Sequence, residues 1–333
     1  MQPMISHKSL NLVLIILLVF ISFSSLFIGS VQLSSSQIID TLFGAGSDAT
    51  NIIIFELRMP RVLMGLIAGA TLGLSGAALQ GMLRNPLADP GIIGVSSTAG
   101  LGAVIAIYFG LATLFPAAIQ IMAIIGALVA IAILAFIASR DSSVLTLILS
   151  GVAISALSTA AISLTMNFSP NPITLQEMVL WMLGSLENRT IYDIGISLPF
   201  IILGWLIHLG TSQGLDALSL GEDTANSMGI NTKNLQLRII IGSALSVGAV
   251  VATCGAIGFV GLVVPHVVRR ISGYEPGKLL IPSALMGALL LILADLMTRI
   301  PFGAGQLRLG VVTAIIGSPM FLYIIFKTRK AMR

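Results

Sequence analysis

The chain has 333 residues, of which 56% are hydrophobic and only 9% charged, and its mean hydropathy is +1.04. A soluble domain carries about 25% charged residues, so this chain has too few to cover a water-facing surface and reads as one membrane domain over 1–333. The net charge of +4 requires no nucleic-acid partner, and the single cysteine, Cys254, excludes an intramolecular disulfide and a cysteine metal cluster.

A helix that crosses a bilayer needs about 20 mostly apolar residues. The first run, 10–29, follows Lys8 and has the layout of a signal peptide. It lacks a small-x-small cleavage site and many more runs follow, so it is read as a retained first helix. Segment 30–60 then contains an amphipathic stretch, Ser34 to Phe43. It predicts a short helix on the membrane surface, capped by Ser36, with Ile38, Ile39 and Leu42 on one face.

Apolar runs continue at 61–82, 92–110, 117–138 and 144–166. A second longer connection, 167–190, also holds a short amphipathic stretch; it leads to the run 191–210 and the polar segment 211–237. The last runs are 238–256, 258–271, 279–298 and 309–327. The run 258–271 is short and rich in Gly and Pro, which predicts a broken span. Such backbone is tolerated at membrane depth only where protein or a water-filled cavity surrounds it. The fold class is therefore an all-α polytopic membrane protein with about ten transmembrane helices. With both termini cytoplasmic, twelve of the 17 Lys and Arg lie inside, as the positive-inside rule prefers.

Within 211–237, the stretch at about 214–232 carries the clearest polar signal. Glu222 and Asp223 sit where the first turn of a short helix would be, which suits its dipole. Gly229 fits a C-terminal cap, and Leu220, Ala225 and Met228 predict a shared apolar side. Two helical turns are not stable alone in water, so this side must dock, either on its own membrane domain or on a cytoplasmic partner.

The pattern Leu220-Gly221-Glu222-Asp223, then Ala225, Met228 and Gly229, resembles the coupling segment of the permeases of ABC importers for iron–siderophores, haem and vitamin B12. Further segments match that family in the same order. They are Arg58-Met59-Pro60-Arg61, Gly69 to Gly76, Arg84-Asn85-Pro86-Leu87-Ala88-Asp89-Pro90-Gly91, Gly255 to Arg269, Ala294-Asp295 with Arg299, and Leu309 to Pro319. The resemblance runs from about Phe55 to Phe326.

The resemblance implies a role for each match. Arg58, Arg61 and Arg299 correspond to outward-facing arginines that receive acidic residues of an extracytoplasmic substrate-binding protein. Arg299 has a competing internal partner in Asp295, four residues earlier at helical spacing. Charge reversal at Arg58 and Arg61 is expected to weaken docking while leaving the fold intact. Leu220, Gly221, Glu222, Asp223, Ala225, Met228 and Gly229 would seat in a cytoplasmic ATP-binding subunit dimer. The chain has no Gly-x-x-x-x-Gly-Lys-Ser/Thr of its own, so it is expected to bind no cofactor and to leave ATP hydrolysis to that partner. A second permease chain, identical or paralogous, would complete the solute path. The family's cytoplasmic gate falls on Ser142, Ser143, Val144 and Leu145.

One departure from the family pattern is Gln306-Leu307-Arg308 before Gly310, which adds a positive charge near the docking surface. Another is Asn226, where a basic residue is common. No catalytic residue is expected: His7, His208 and His266 have no metal-ligand spacing. His266 and the turn-forming Asn85-Pro86 read as structural. Ion-gradient-driven transporters place paired charges at mid-membrane, and only Asp295 is a candidate here. The expected setting is a bacterial inner membrane, with Fe(III)-siderophore as the commonest cargo of the resembled family.

Overall fold

The structure, a computed structural model, describes residues 6–140, 143–300 and 307–331. Among them it is helical throughout, without strands. In chain order the helices are α1 (His7–Ser25), α2 (Ser35–Leu42), α3 (Asp48–Asn51), α4 (Met59–Met82), α5 (Val95–Tyr108), α6 (Ala118–Arg140), α7 (Val144–Asn167), α8 (Pro172–Met182), α9 (Ile191–His208), α10 (Thr211–Ser219), α11 (Glu222–Ser227), α12 (Thr232–Cys254), α13 (Val260–Ser272), α14 (Pro276–Thr298) and α15 (Leu309–Ala331). A π-helical stretch, Ile52–Arg58, joins α3 to α4.

Every expected apolar run falls on a helix. Among the described residues seven helices are long and apolar enough to cross a membrane; α5 and the stretch Leu309–Tyr323 of α15 are apolar but shorter. The broken run begins its helix late, and α13 has only 13 residues. Gly255 (φ 73°) and Phe259 (φ 67°) hold the left-handed region between α12 and α13, which ends one helix before the other can start. The surface helix of segment 30–60 is present as α2. Its cap is Ser34, in a reciprocal box with Gln37, and not Ser36. Ile38 is buried while Ile39 is exposed.

α4 and α12 are buried at the centre, whereas α1, α6, α7 and α9 leave most of their apolar surface outward. Lipid chains are as apolar as leucine, so burial alone does not hold such helices together; close backbone approach does. α4 and α14 meet through small residues. A Cβ added at Gly69 or Gly73 would strike the backbone of Gly287 or Ser283, and one at Gly76 would strike Gly261 of α13. Buried side-chain bonds add to this. Gln120 Nε2 lies within hydrogen-bond distance of Asp193 O (2.8 Å), Ser197 Oγ (2.7 Å) and Thr253 Oγ1 (2.9 Å) and shares its two protons among them, tying α6 to α9 and α12.

Candidate docking, pathway and coupling sites

One end of the bundle gathers the C-terminus of α1, the N-terminus of α4 and the C-terminus of α14. The last carbonyls of a helix have no partner within it and carry partial negative charge. Those of α1 and the following turn are met by arginine. Arg299 donates to Ser25 O (2.7 Å) and Ile28 O (2.6 Å), and Arg58 to Leu26 O and Val31 O. Asp295 is buried between two guanidiniums. Arg61 Nε lies 3.0 Å from both its oxygens, and Arg299 reaches Oδ2 at 2.8 Å. Thr298 Oγ1 accepts a further bond from Arg61 at 3.0 Å.

The three arginines expected to face outward are thus brought together at one end, but they are turned inward. Arg58 is 6% exposed and the Arg299 side chain 4%; Arg61 keeps 19%. The Asp295–Arg299 pair was legible from its spacing. Arg61 as third member was not, because it lies 234 residues from Asp295. The expectation that reversing Arg58 and Arg61 spares the fold does not hold with this geometry: a glutamate at 58 would set its charge against the carbonyl oxygens that Arg58 now satisfies. Loss of native bonding, with a lower melting temperature in detergent, is expected for Arg58→Glu; an unchanged melt would refute it.

Three irregular segments meet elsewhere at the same level of the bundle. Ser185 N donates to Cys254 O (2.7 Å), Leu309 N to Gly184 O (3.2 Å) and Gly310 N to Leu183 O (3.0 Å). Their junction borders two open clefts of about 600 Å³ each. One is apolar and follows a face of α15 from Gly310 and Val311 through Ala314 and Ile315 to Ser318. The other is mixed, lined by Ile173, Leu180, Trp181, Glu187, Arg189 and Arg308 among others. The additional charge of Arg308 is therefore not isolated, since Glu187 stands 3.6 Å away.

At the opposite end, α10 and α11 form a hairpin under the bundle. Gly221 (φ 115°) turns the chain into α11, and Gly229 (φ 83°) ends it, with Ile230 N returning to Ala225 O at 3.0 Å. That is the glycine cap expected at 229. Thr232 Oγ1 donates to Asn226 Oδ1 (3.0 Å), and Asp216 accepts from Gly277 N (2.8 Å), which fastens α10 to the start of α14. The predicted shared apolar side is corrected. Ala225 is fully buried toward its own protein, while Leu220 and Met228 are 66% and 60% exposed. Leu220, which ends α10, and Met228, which ends α11, are thus left open to the surroundings while Ala225 packs.

Of the expected gate, Ser142 lies outside the described residues. Ser143 caps α7, accepting from Thr146 N at 3.2 Å. Val144 borders an apolar crevice with Leu79, Met82 and Ile92, whereas Leu145 is exposed. Among the described residues no group of three or more His, Cys, Asp or Glu is placed to hold a metal ion.

Comparison with known proteins matches residues 15–327 to the model of the FecCD transport family. The chain is 40% identical over 287 residues to the vitamin B12 import system permease protein BtuC of Vibrio cholerae, covering 86% of each chain. It is 36% identical to the hemin transport system permease protein HmuU of Yersinia pestis, over 95% of each. It is 33% identical to the Fe(3+)-citrate import system permease protein YfmE of Bacillus subtilis, over 96% of this chain and 95% of that one. A solved structure described as an inward-facing conformation of a metal-chelate type ABC transporter superposes with a TM-score of 0.83 at 32% identity, covering 97% of this chain and 100% of that one.

Proposed function

This chain belongs to the FecCD transport family and is a multi-pass inner-membrane permease of an ABC importer; from that premise we propose that it carries Fe(III)-siderophore across the membrane as one half of a permease dimer. The observation that carries the reading is the match of residues 15–327 to the family model, a span that contains the glycine-capped α10–α11 hairpin. In this reading ten helices span the bilayer with both termini cytoplasmic. The seven long helices, the two shorter apolar ones and α13 supply that number. The basic residues of the α6 and α13 ends and the C-terminal tail then lie inside.

The α10–α11 hairpin seats in a cytoplasmic ATPase dimer, and the substrate-binding protein docks on the end that holds the arginine cluster. Arg61 is the partly exposed cation there; Arg58 and Arg299 shape the surface from beneath. The second chain covers the apolar cleft along α15 and the outward face of α7, enclosing the path between the two copies. Relatives that carry hemin and Fe(3+)-citrate match 95% or more of this chain, which supports iron chelate as cargo. The 40% identity to the vitamin B12 permease favours cobalamin as the second reading.

The deciding test is uptake of labelled siderophores, haem and cobalamin by cells with and without this gene, with ATP depleted separately from the proton gradient. Loss of one ATP-dependent iron–siderophore uptake on deletion is the expected result. Loss of cobalamin uptake alone selects the second reading, and uptake that follows the proton gradient and ignores ATP defeats the importer assignment. The coupling role has its own test. Leu220→Asp with Met228→Asp is expected to leave the melting temperature unchanged, since both side chains are exposed, and to reduce transport-linked ATPase stimulation by at least tenfold. Normal stimulation removes these two residues from the coupling surface. Ala225→Trp is expected to disturb both readouts, because it also displaces α11 from its packed face.

A further inference from the structure

An open cleft of about 520 Å³ lies between the C-terminal end of α6 and the N-terminal end of α12, beside the end of the coupling stretch. Its polar lining includes Ser139, Arg140, Asn231, Lys233 and Asn234, and no carboxylate occurs among its described lining residues. The Arg140 guanidinium lies 5.1 Å from the centre of the Phe136 ring, one turn back on α6. The crevice that continues from Leu147 and Leu237 past Leu134 and Ile241 is too tight to admit water, but beside the cleft α6 leaves Phe136, Ile133 and Val129 exposed on the face that carries Arg140.

Two cations and several amide donors at one end, followed by an apolar track parallel to the helices, match the distribution of charge and hydrocarbon in one kind of ligand. We propose that this cleft binds an anionic phospholipid, with the headgroup phosphate between Arg140 and Lys233 and an acyl chain along the exposed Phe136, Ile133 and Val129 stripe of α6. A basic pocket between membrane helices on the cytoplasmic side is a site for such headgroups. A guanidinium can meet two phosphate oxygens at once, and an ammonium adds a compact charge. A free phosphate would fill only the polar part and leave the apolar track uncovered. The leaflet assignment, and only that, rests on the orientation proposed above.

The test uses the full chain purified in neutral detergent and titrated with dioleoyl phosphatidylglycerol, dioleoyl phosphatidylcholine and inorganic phosphate, with bound lipid counted by native mass spectrometry. Phosphatidylglycerol is expected to bind at least tenfold more tightly than phosphatidylcholine, and millimolar inorganic phosphate is expected not to displace it. Arg140→Gln with Lys233→Gln should weaken phosphatidylglycerol binding roughly 30-fold, about 2 kcal/mol at 1.4 kcal/mol per decade. Both side chains are exposed, so the variant should melt where the parent does. Equal binding of the two lipids, a variant within twofold of the parent, or full displacement by inorganic phosphate would each overturn the proposal. The readout is binding and not transport, so its failure leaves the importer reading standing.

Discussion

Asp295→Ala is expected to destabilise the protein by about 3–5 kcal/mol, the cost of removing one partner from a buried ion pair. The carboxylate is 2% exposed and is shared by Arg61 and Arg299. Its removal leaves two guanidiniums close together, one of them buried beside Arg58, with only carbonyl and hydroxyl oxygens to accept their protons. Because Arg299 also holds Ser25 O and Ile28 O, the damage should extend to the end of α1. A thermal scan of the purified protein in detergent should show a drop well beyond that of a surface substitution. A double variant, Asp295→Ala with Arg299→Met, should recover part of the loss, since it removes an unpaired charge. A melting temperature unaffected by Asp295→Ala would show that the cluster carries no stability.

Gly73→Leu is the second large effect. A side chain at 73 points at the backbone of Ser283 and Gly287 on α14, and backbone yields far less than a side-chain tip. Overpacking by even a few methylenes costs about 1–3 kcal/mol where neighbours can shift; here two central helices must separate. The expected outcome is loss of the folded, monodisperse species on size-exclusion chromatography, together with loss of uptake. Gly73→Ala should be intermediate, and Gly195→Ala should be tolerated, because nothing lies within 4 Å of a Cβ there. A Gly73→Leu protein that elutes and transports normally would mean that α4 and α14 do not need their close approach.

The coupling hairpin separates what a sequence discloses from what it withholds. Glu222 and Asp223 in the first turn and Gly229 at the cap were legible, because capping is settled within four or five residues. Which way Ala225, Leu220 and Met228 face was not. Ala225 is held inward by the helices the hairpin packs on, and no period in so short a helix can reveal that direction. The same holds for the cap of α2, expected at Ser36 and found two residues earlier at Ser34, which bonds reciprocally with Gln37.

The sequence by itself determined the membrane class, the positions of the apolar helices, the break before α13, and the acidic first turn and glycine cap of α11. In lipid each helix satisfies its own backbone hydrogen bonds, so these features are written locally and survive without knowledge of neighbours. Only the tertiary structure decided that Arg61 joins Asp295 across 234 residues. It also decided that Arg58 and Arg299 turn inward to the carbonyls of α1, that Glu187 stands by Arg308, and which clefts stay open. A long flexible arginine reaches whichever acceptor the fold brings near, and a guanidinium in a low-dielectric site moves to the partner that neutralises it, which spacing along one chain does not specify.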